Sequence, residues 1–479
     1  MSDPQPSPAS KAWPDYRAVW RWHFYAGLFT LPFVIILSIS GAIYLFKPQI
    51  EAWNDRAYDN LALNGSPAPA AEQVKAALAA FPDSTPSGYE LPRGTNDAGR
   101  VSIRHKGESL RVYVHPQTLA VLHSVPENER FMRTMFKLHG ELLMGDRGSN
   151  LVELASSWTI IMIVTGLYLW WPRQSSGWGG ILYPRLRGGS RVFWRDLHSV
   201  TGVWISTFAL FLLVTGLPWA KFWGGYFKSV RRVTGTAVAQ QDWTTGSERP
   251  AAGQKKSGGS SEHSEHGGGK AAGKRGGSGG GWRRGGGGAM PKDFGGFDRV
   301  AATVRPLKLE YPVIIAAPAS ATSEDWTAKS MTQNRPQRVN LVVNGTTGAI
   351  VSRDDFKDRH IVDRIVSTCI AAHEGQLFGW PNQLLGLLTA MGLVLMSASG
   401  VVMWWRRREQ GVLGAPKVLL EPRIAWGLIL LVGLFGVYLP LFGVSLLLVL
   451  LLEKAFLKRI PSVRNWLGLG APAGATVAH

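Results

Sequence analysis

Residues 24–46 read FYAGLFTLPFVIILSISGAIYLF, 23 positions without a charged side chain. At about 1.5 Å per residue a helix of that length crosses a hydrocarbon core of about 30 Å. Similar apolar stretches follow at 151–171, 200–219 and 384–405. Trp170, Trp171, Trp219, Trp404 and Trp405 close them, as aromatics do at a membrane interface. The first stretch is too long for a signal peptide and lacks a small-residue cleavage site, so it is expected to remain as a span. These four stretches predict an α-helical integral membrane protein built on a four-helix core bundle.

Composition agrees. Charged residues make up 18% of the 479, too few for a disordered chain and lean for a soluble enzyme. The single cysteine, Cys369, excludes an internal disulfide framework and a Cys-rich zinc or iron–sulfur centre. Lys and Arg number 52 against 33 Asp and Glu, a formal charge of +19. In a membrane protein such an excess belongs on cytoplasmic loops, so the expected partner is the lipid bilayer and no nucleic acid.

Three clusters of cations set the orientation. They are Lys11, Arg17 and Arg21; Arg173, Arg185, Arg187, Arg191 and Arg195; and Arg406, Arg407, Arg408, Lys417 and Arg423. All three segments are cytoplasmic by the positive-inside rule, which puts 47–149 and 221–383 on the outer side. A last apolar stretch, 424–452, is interrupted by Pro440 and followed by Lys454, Lys458 and Arg459. Those cations favour two short helices meeting near 438–443; one tilted span is the alternative.

The chain also repeats itself. His139 is followed by Gly145, Gly166, Trp170, Trp171 and Arg173, and His373 by Gly379, Gly400, Trp404, Trp405 and Arg407 at the same offsets. His23 has Gly27 and Gly41 at +4 and +18; His198 has Gly202 and Gly216 at the same two offsets. Each half therefore reads as span, outer segment, histidine, span.

Helical phase gives these residues a meaning. At about 100° per residue, +18 returns to the same face and +4 falls about 40° away. His23, Gly27 and Gly41 share a stripe, as do His198, Gly202 and Gly216. An imidazole with glycines beside it suits a flat macrocycle whose iron takes an axial nitrogen. His23 and His198 begin outward-going helices, and His139 and His373 precede inward-going ones. Two histidines at each face predict bis-histidine ligation of two haems. With one cysteine on the chain, these would be b-type and not covalently attached. A lone histidine at a membrane boundary is ordinarily an interfacial polar residue, and glycines also serve close helix packing. Four histidines at repeated offsets, tied to glycines, favour ligation.

Other candidates are weaker. His105, His115 and His123 have no counterparts in the second half and read as surface residues. His263 and His266 lie in a Gly/Ser/Lys-rich linker, 251–289, that cannot bury a core. His360 is as readily structural as ligand-contacting, and Cys369 reads as a packing residue. Glu153, inside the second span, is a functional suspect because intramembrane carboxylates are costly.

The outer segments alternate like strands at 101–104 and 111–114, and again at 338–343 and 349–352. The stretch 112–122, VYVHPQTLAVL, resembles the closing hairpin of a PepSY domain, and 341–350, LVVNGTTGAI, resembles a second. Segment 363–380, with Ala372-His373-Glu374-Gly375, and segment 399–406 are similar to the PepSY-associated transmembrane family. His115 departs from the acidic residue common in the first hairpin. That family includes iron-regulated inner-membrane proteins and ferric-siderophore reductases.

The resemblance implies two α+β PepSY-like extramembrane domains and a haem b-containing inner-membrane reductase. Electrons would reach a periplasmic ferric-siderophore or other Fe(III) complex, with His23, His139, His198 and His373 as haem ligands. No flavin or nicotinamide domain is visible, so the donor is expected to be a quinol or a separate cytosolic protein. The chain is expected to divide into a cytoplasmic tail 1–22, span 23–46, first PepSY-like domain 47–135, and histidine-bearing segment and span 136–172. After a basic loop 173–197 come span 198–220, second PepSY-like domain 221–365, and histidine-bearing segment and span 366–405. A basic loop 406–423 and a C-terminal hydrophobic helix or hairpin 424–460 complete the chain. The rival readings are a non-enzymatic membrane protein binding or regulating a periplasmic peptidase or other partner, and a siderophore permease. The few polar residues deep in the spans argue against the permease.

Overall fold

The computed structural model describes residues 16–171, 177–236, 290–318, 320, 323–416 and 426–469. Lys11, Arg173, His263, His266, Lys417, Arg423 and the Gly-rich stretch 251–289 lie outside them. Along the chain come helices α1 (Tyr16–Leu45), α2 (Lys47–Asp55) and α3 (Ala70–Ala80), then strands β1 (Thr85–Glu90), β2 (Gly99–His105), β3 (Glu108–Val114) and β4 (Val121–Pro126). Helices α4 (Phe131–Glu141), α5 (Asp146–Trp170), α6 (Gly189–Gly216) and α7 (Lys221–Val233) follow. Then come α8 (Gly296–Val304) and strands β5 (Val313–Ala316), β6 (Asp325–Ser330), β7 (Val339–Asn344) and β8 (Ile350–Asp355). The last helices are α9 (Ile361–His373), α10 (Trp380–Arg407), α11 (Trp426–Tyr438), α12 (Pro440–Leu452) and α13 (Pro461–Leu467).

The chain divides into two compact units. One comprises Met1–Glu51, Phe131–Gly235 and Thr368–His479; the other comprises Ala52–Arg130 and Thr236–Ser367.

In the helical unit, five helices among the described residues are long and apolar enough to cross a membrane: Tyr16–Leu45, Asp146–Trp170, Gly189–Trp219, Trp380–Arg407 and Pro440–Leu457. Helices α1 and α6 each pack against both α5 and α10. Gly145 and Gly379 precede α5 and α10 at φ of 60° and 66°, a left-handed turn that glycine adopts freely. The turn recurs because the duplication preserves it. The C-terminal stretch forms two helices broken at Leu439, the second running on to Leu457. Pro440 sits at the first turn of α12, where a missing N–H removes no helical bond. Gly436 and Gly443 bring the two backbones together at the bend. Trp158 donates its indole N–H to Ser445 Oγ (3.0 Å), and Trp223 donates to the Tyr438 carbonyl (2.9 Å). These bonds tie the hairpin to α5 and α7.

Glu153 receives a different explanation from the one its position suggests. Its Oε2 accepts the backbone N–H groups of Phe222 (3.1 Å) and Trp223 (3.0 Å), and Ser149 Oγ accepts that of Lys221 (3.1 Å). The buried carboxylate caps the N-terminus of α7, satisfying amides that have no intrahelical acceptor.

The second unit corrects the expectation of two separate PepSY-like domains. Its strands form one antiparallel sheet in the order β4-β3-β2-β1-β5-β6-β7-β8. The halves join through β1 and β5, where Tyr89 faces Ile315 and Glu90 faces Ile314. The physical reason is edge satisfaction: each four-stranded half would otherwise leave an unpaired, apolar edge. Helices α3 and α8 meet over the joined sheet and share one core with Val74, Tyr89, Val101, Phe297, Ile315 and Trp326. The hairpins β3–β4 and β7–β8 carry matching register shifts, at Tyr113/Val114 and Val342/Val343. They are counterparts in the duplication.

Two local features fix this unit. Arg100 bonds Asp55 (3.2 Å) and Asp59 (2.7 Å), and the Tyr113 hydroxyl donates to Asp55 (3.0 Å). Burial, with the Asp55 carboxylate beside it, pushes that hydroxyl up to about 12, so it remains a donor. On the other half, the Trp326 indole packs edge-on against Phe297, with ring centroids 4.7 Å apart. A Cβ at Gly296 or Gly345 would lie 2.3 or 2.0 Å from that indole, so both positions must be glycine for it to fit. Trp326→Ala is expected to remove about 3–5 kcal/mol of stability. Limited proteolysis of the purified protein across a temperature series should show the sheet unit opening well below the wild-type temperature.

Candidate cofactor site: two pairs of histidines

Four helices of the bundle present the same device. Near the start of α1, His23 places Nδ1 3.0 Å from the Met162 carbonyl and 3.2 Å from Thr165 Oγ1, both on α5. Near the start of α6, His198 does the same with Met396 (3.0 Å) and Ser399 (3.2 Å) of α10. His139, on α4, meets the Leu37 carbonyl (3.1 Å) and Ser40 Oγ (3.2 Å) of α1. His373, the last residue of α9, meets Thr215 Oγ1 (2.9 Å) and the Leu212 carbonyl of α6. Each seat is a carbonyl, a hydroxyl three residues on, and then a glycine.

The glycine gives the ring its room. An added Cβ would come within 3.0 Å of the His139 ring at Gly41 and 3.1 Å of His23 at Gly166. At Gly216 and Gly400 it would lie 3.5 Å from His373 and 3.6 Å from His198. All four rings are half-buried.

Hydrogen-bond accounting fixes the protonated nitrogen. Each hydroxyl spends its proton on its own helix: Ser40 donates to Ile36 O (2.7 Å), Thr165 to Ile161 O (2.9 Å), Thr215 to Phe211 O (2.7 Å) and Ser399 to Met396 O (3.0 Å). Toward the imidazole both partners can then only accept, so Nδ1 carries the proton. In the neutral ring Nε2 keeps a lone pair and is the nitrogen able to bind a metal.

The rings pair across the two halves. His23 and His198 have centroids 6.3 Å apart with planes at 85°; His139 and His373 are 6.3 Å apart at 77°. Two imidazoles opposed on one metal would have centroids about 6 Å apart, since each bond runs about 2 Å and each ring adds about 1.1 Å. The separation therefore fits a shared axial metal with no further protein ligand. Gly41 lies 18 residues beyond His23, so the two pairs occupy levels about 27 Å apart along α1. Among the described residues no cluster of three or more His, Cys, Asp or Glu forms a conventional metal centre.

Surrounding residues brace the ends. Two positions before His23, buried Arg21 donates to the carbonyls of Pro416 (3.2 Å) and Gly468 (2.7 Å). At the matching position before His198, buried Asp196 takes a two-toothed grip from Arg185 (2.7 and 3.1 Å). The Trp219 ring lies edge-on to His373, with centroids 6.1 Å apart.

The glycines each have a neighbour from another segment. Gly41 and Gly216 lie against His139 and His373 rather than the histidines of their own helices. Eighteen residues return to the same face but climb about 27 Å, so the ring at that level comes from another segment. Gly27 and Gly202 instead receive Met162 and Met396 of the neighbouring helix, at 3.6 and 3.1 Å from a notional Cβ. There the two helices pack closely. Ser40, Thr165, Thr215 and Ser399 were not singled out in the sequence, although Ser/Thr-Gly stands at 40–41, 165–166, 215–216 and 399–400.

The other histidines among the described residues do local work. His115 Nδ1 accepts the N–H groups of Gln117 and Thr118 in a turn, and His360 Nδ1 accepts that of Val362 at the start of α9. His123 stacks on Tyr58, and His105 lies edge-on to Phe81. Cys369 is a half-buried thiol on α9.

Long apolar helices enclosing two histidine pairs define a helical membrane protein. Residues 20–407 match the family described as PepSY-associated TM region, and the chain belongs to that family. No curated protein matches it.

Proposed function

We propose that this protein is a haem b-containing reductase of a bacterial inner membrane. It would pass electrons across the bilayer to a periplasmic Fe(III) complex of the ferric-siderophore class. The observation that carries this reading is the pair geometry: two imidazoles at 6.3 Å, each with Nδ1–H spent and Nε2 free for a metal, repeated at two levels.

The residues suit a haem at each level. His23 and His198 would hold one, and His139 and His373 the other. Gly41, Gly166, Gly216 and Gly400 keep side-chain bulk away from the rings. When bound, such groups supply reversible one-electron exchange between ferric and ferrous iron. The apolar faces of α1, α5, α6 and α10 exclude water from both levels. Levels about 27 Å apart cover most of a hydrocarbon core about 30 Å thick, as a transmembrane electron path requires. The distribution of Lys and Arg supports placing His23 and His198 at the cytoplasmic face, where a quinol or cytosolic protein would act as donor. Reduction of the substrate would loosen a chelator built from hard oxygens, which suits Fe(III) better than Fe(II).

The test is the visible spectrum of the detergent-purified protein. A Soret band, sharp α and β bands on reduction and about two extractable haems per chain are expected. A folded, colourless protein would reject the reading and favour a binding role for the sheet unit.

A further inference from the structure

The haem reading concerns which nitrogens bind; the seats also fix how each ring is turned. A carbonyl alone would leave an imidazole free to swing about its hydrogen bond. Here every Nδ1–H points between two acceptors on one helix, a carbonyl and a hydroxyl three residues later. The arrangement recurs at four places. In both pairs the planes end up crossed, at 85° and 77°.

We infer that Ser40, Thr165, Thr215 and Ser399 are positioning residues that lock the four imidazole planes, so that the two rings of each pair stand crossed. The inference rests on the haem reading and adds an electronic consequence to it. An imidazole donates to iron through the π orbital perpendicular to its own plane. Parallel rings raise one iron d orbital above its partner, whereas crossed rings act on both alike. A ferric ion between crossed rings therefore keeps a nearly degenerate orbital pair. Its low-spin signal is strongly anisotropic, with one large g value, and its midpoint potential lies above that of a parallel pair. Outer-sphere hydrogen bonds are a general means by which a protein sets ligand orientation and metal potential.

The experiment is electron paramagnetic resonance of the oxidised full-length protein, paired with redox titration. Wild type should show the large-g signal at both sites. Ser40→Ala or Thr215→Val should convert the signal of the His139/His373 site to an ordinary rhombic one and lower its potential. Thr165→Val or Ser399→Ala should do so at the other site, in each case with two haems retained. The conservative exchanges Ser40→Thr and Thr215→Ser should leave signal and potential unchanged. Haem loss in Thr215→Val but not in Thr215→Ser would equally support a positioning hydroxyl. Haem-loaded wild type with rhombic signals would overturn this inference alone. So would hydroxyl-free variants with the wild-type spectrum and potential. A protein that binds no haem would instead remove the reading beneath it.

Discussion

His373→Ala is expected to lower the haem content of the purified protein from about two per chain to about one. His139→Ala should remove the same haem, and His23→Ala or His198→Ala the other. The reason is geometric. In the proposed reading each metal would draw its two nitrogens from rings 6.3 Å apart, and no third His, Cys, Asp or Glu clusters with them among the described residues. Losing either ring would leave a single nitrogen where the proposed group needs two. Combinations sharpen the test. His139→Ala with His373→Ala should do no more damage than either change alone, because both residues act on one site. His23→Ala with His139→Ala should empty both. Extraction of haem and the reduced α band would read these outcomes. A protein that keeps two haems after any of these single changes would refute the pairing.

A comparable loss is expected from Gly41→Val or Gly166→Val, although neither position can bind anything itself. A Cβ at Gly41 would approach the His139 ring to 3.0 Å, and one at Gly166 would approach His23 to 3.1 Å. A branched side chain adds two methyl groups in the same place, and the ring cannot retreat without leaving its carbonyl and hydroxyl. Close-packed interiors absorb such overfilling poorly. Alanine should show a gradient. Gly41→Ala and Gly166→Ala should disturb the spectrum of their sites, whereas Gly216→Ala and Gly400→Ala, whose Cβ would meet the ring at ordinary contact distances of 3.5 and 3.6 Å, should leave theirs intact. Uniform tolerance of valine at Gly41 and Gly166 would show that the rings are not held where the seats place them.

Most of the site was legible because the chain states it twice. The offsets that join His139 to Gly166 and His373 to Gly400 survive duplication only where spacing is constrained. The spans were equally plain, since absence of charge over 20 residues has few other meanings. Pro440 announced the hairpin, a proline being a natural first residue of a new helix. What stayed hidden was everything decided between segments. Helical phase places Gly41 on the same face as His23 but says nothing about which ring arrives at its level. The hydroxyls of Ser40 and Thr215 look like ordinary helix residues until α4 and α9 bring imidazoles against them. Glu153 shows the same limit in reverse. Its place inside a span raised suspicion, yet its partners are two backbone amides at the start of α7, which no pattern in the sequence names. The strand pair β1–β5 joins residues more than 200 positions apart, so two domains were the natural expectation where one continuous sheet exists.

That each histidine pair takes one member from each repeat has an evolutionary corollary. A polypeptide of half this length would carry one imidazole for each level and complete neither pair, unless two such molecules met face to face. Fusion of the repeats into one chain turns that encounter into a permanent arrangement. It also lets the partners drift apart, as they have where Arg21 in one repeat answers to Asp196 in the other.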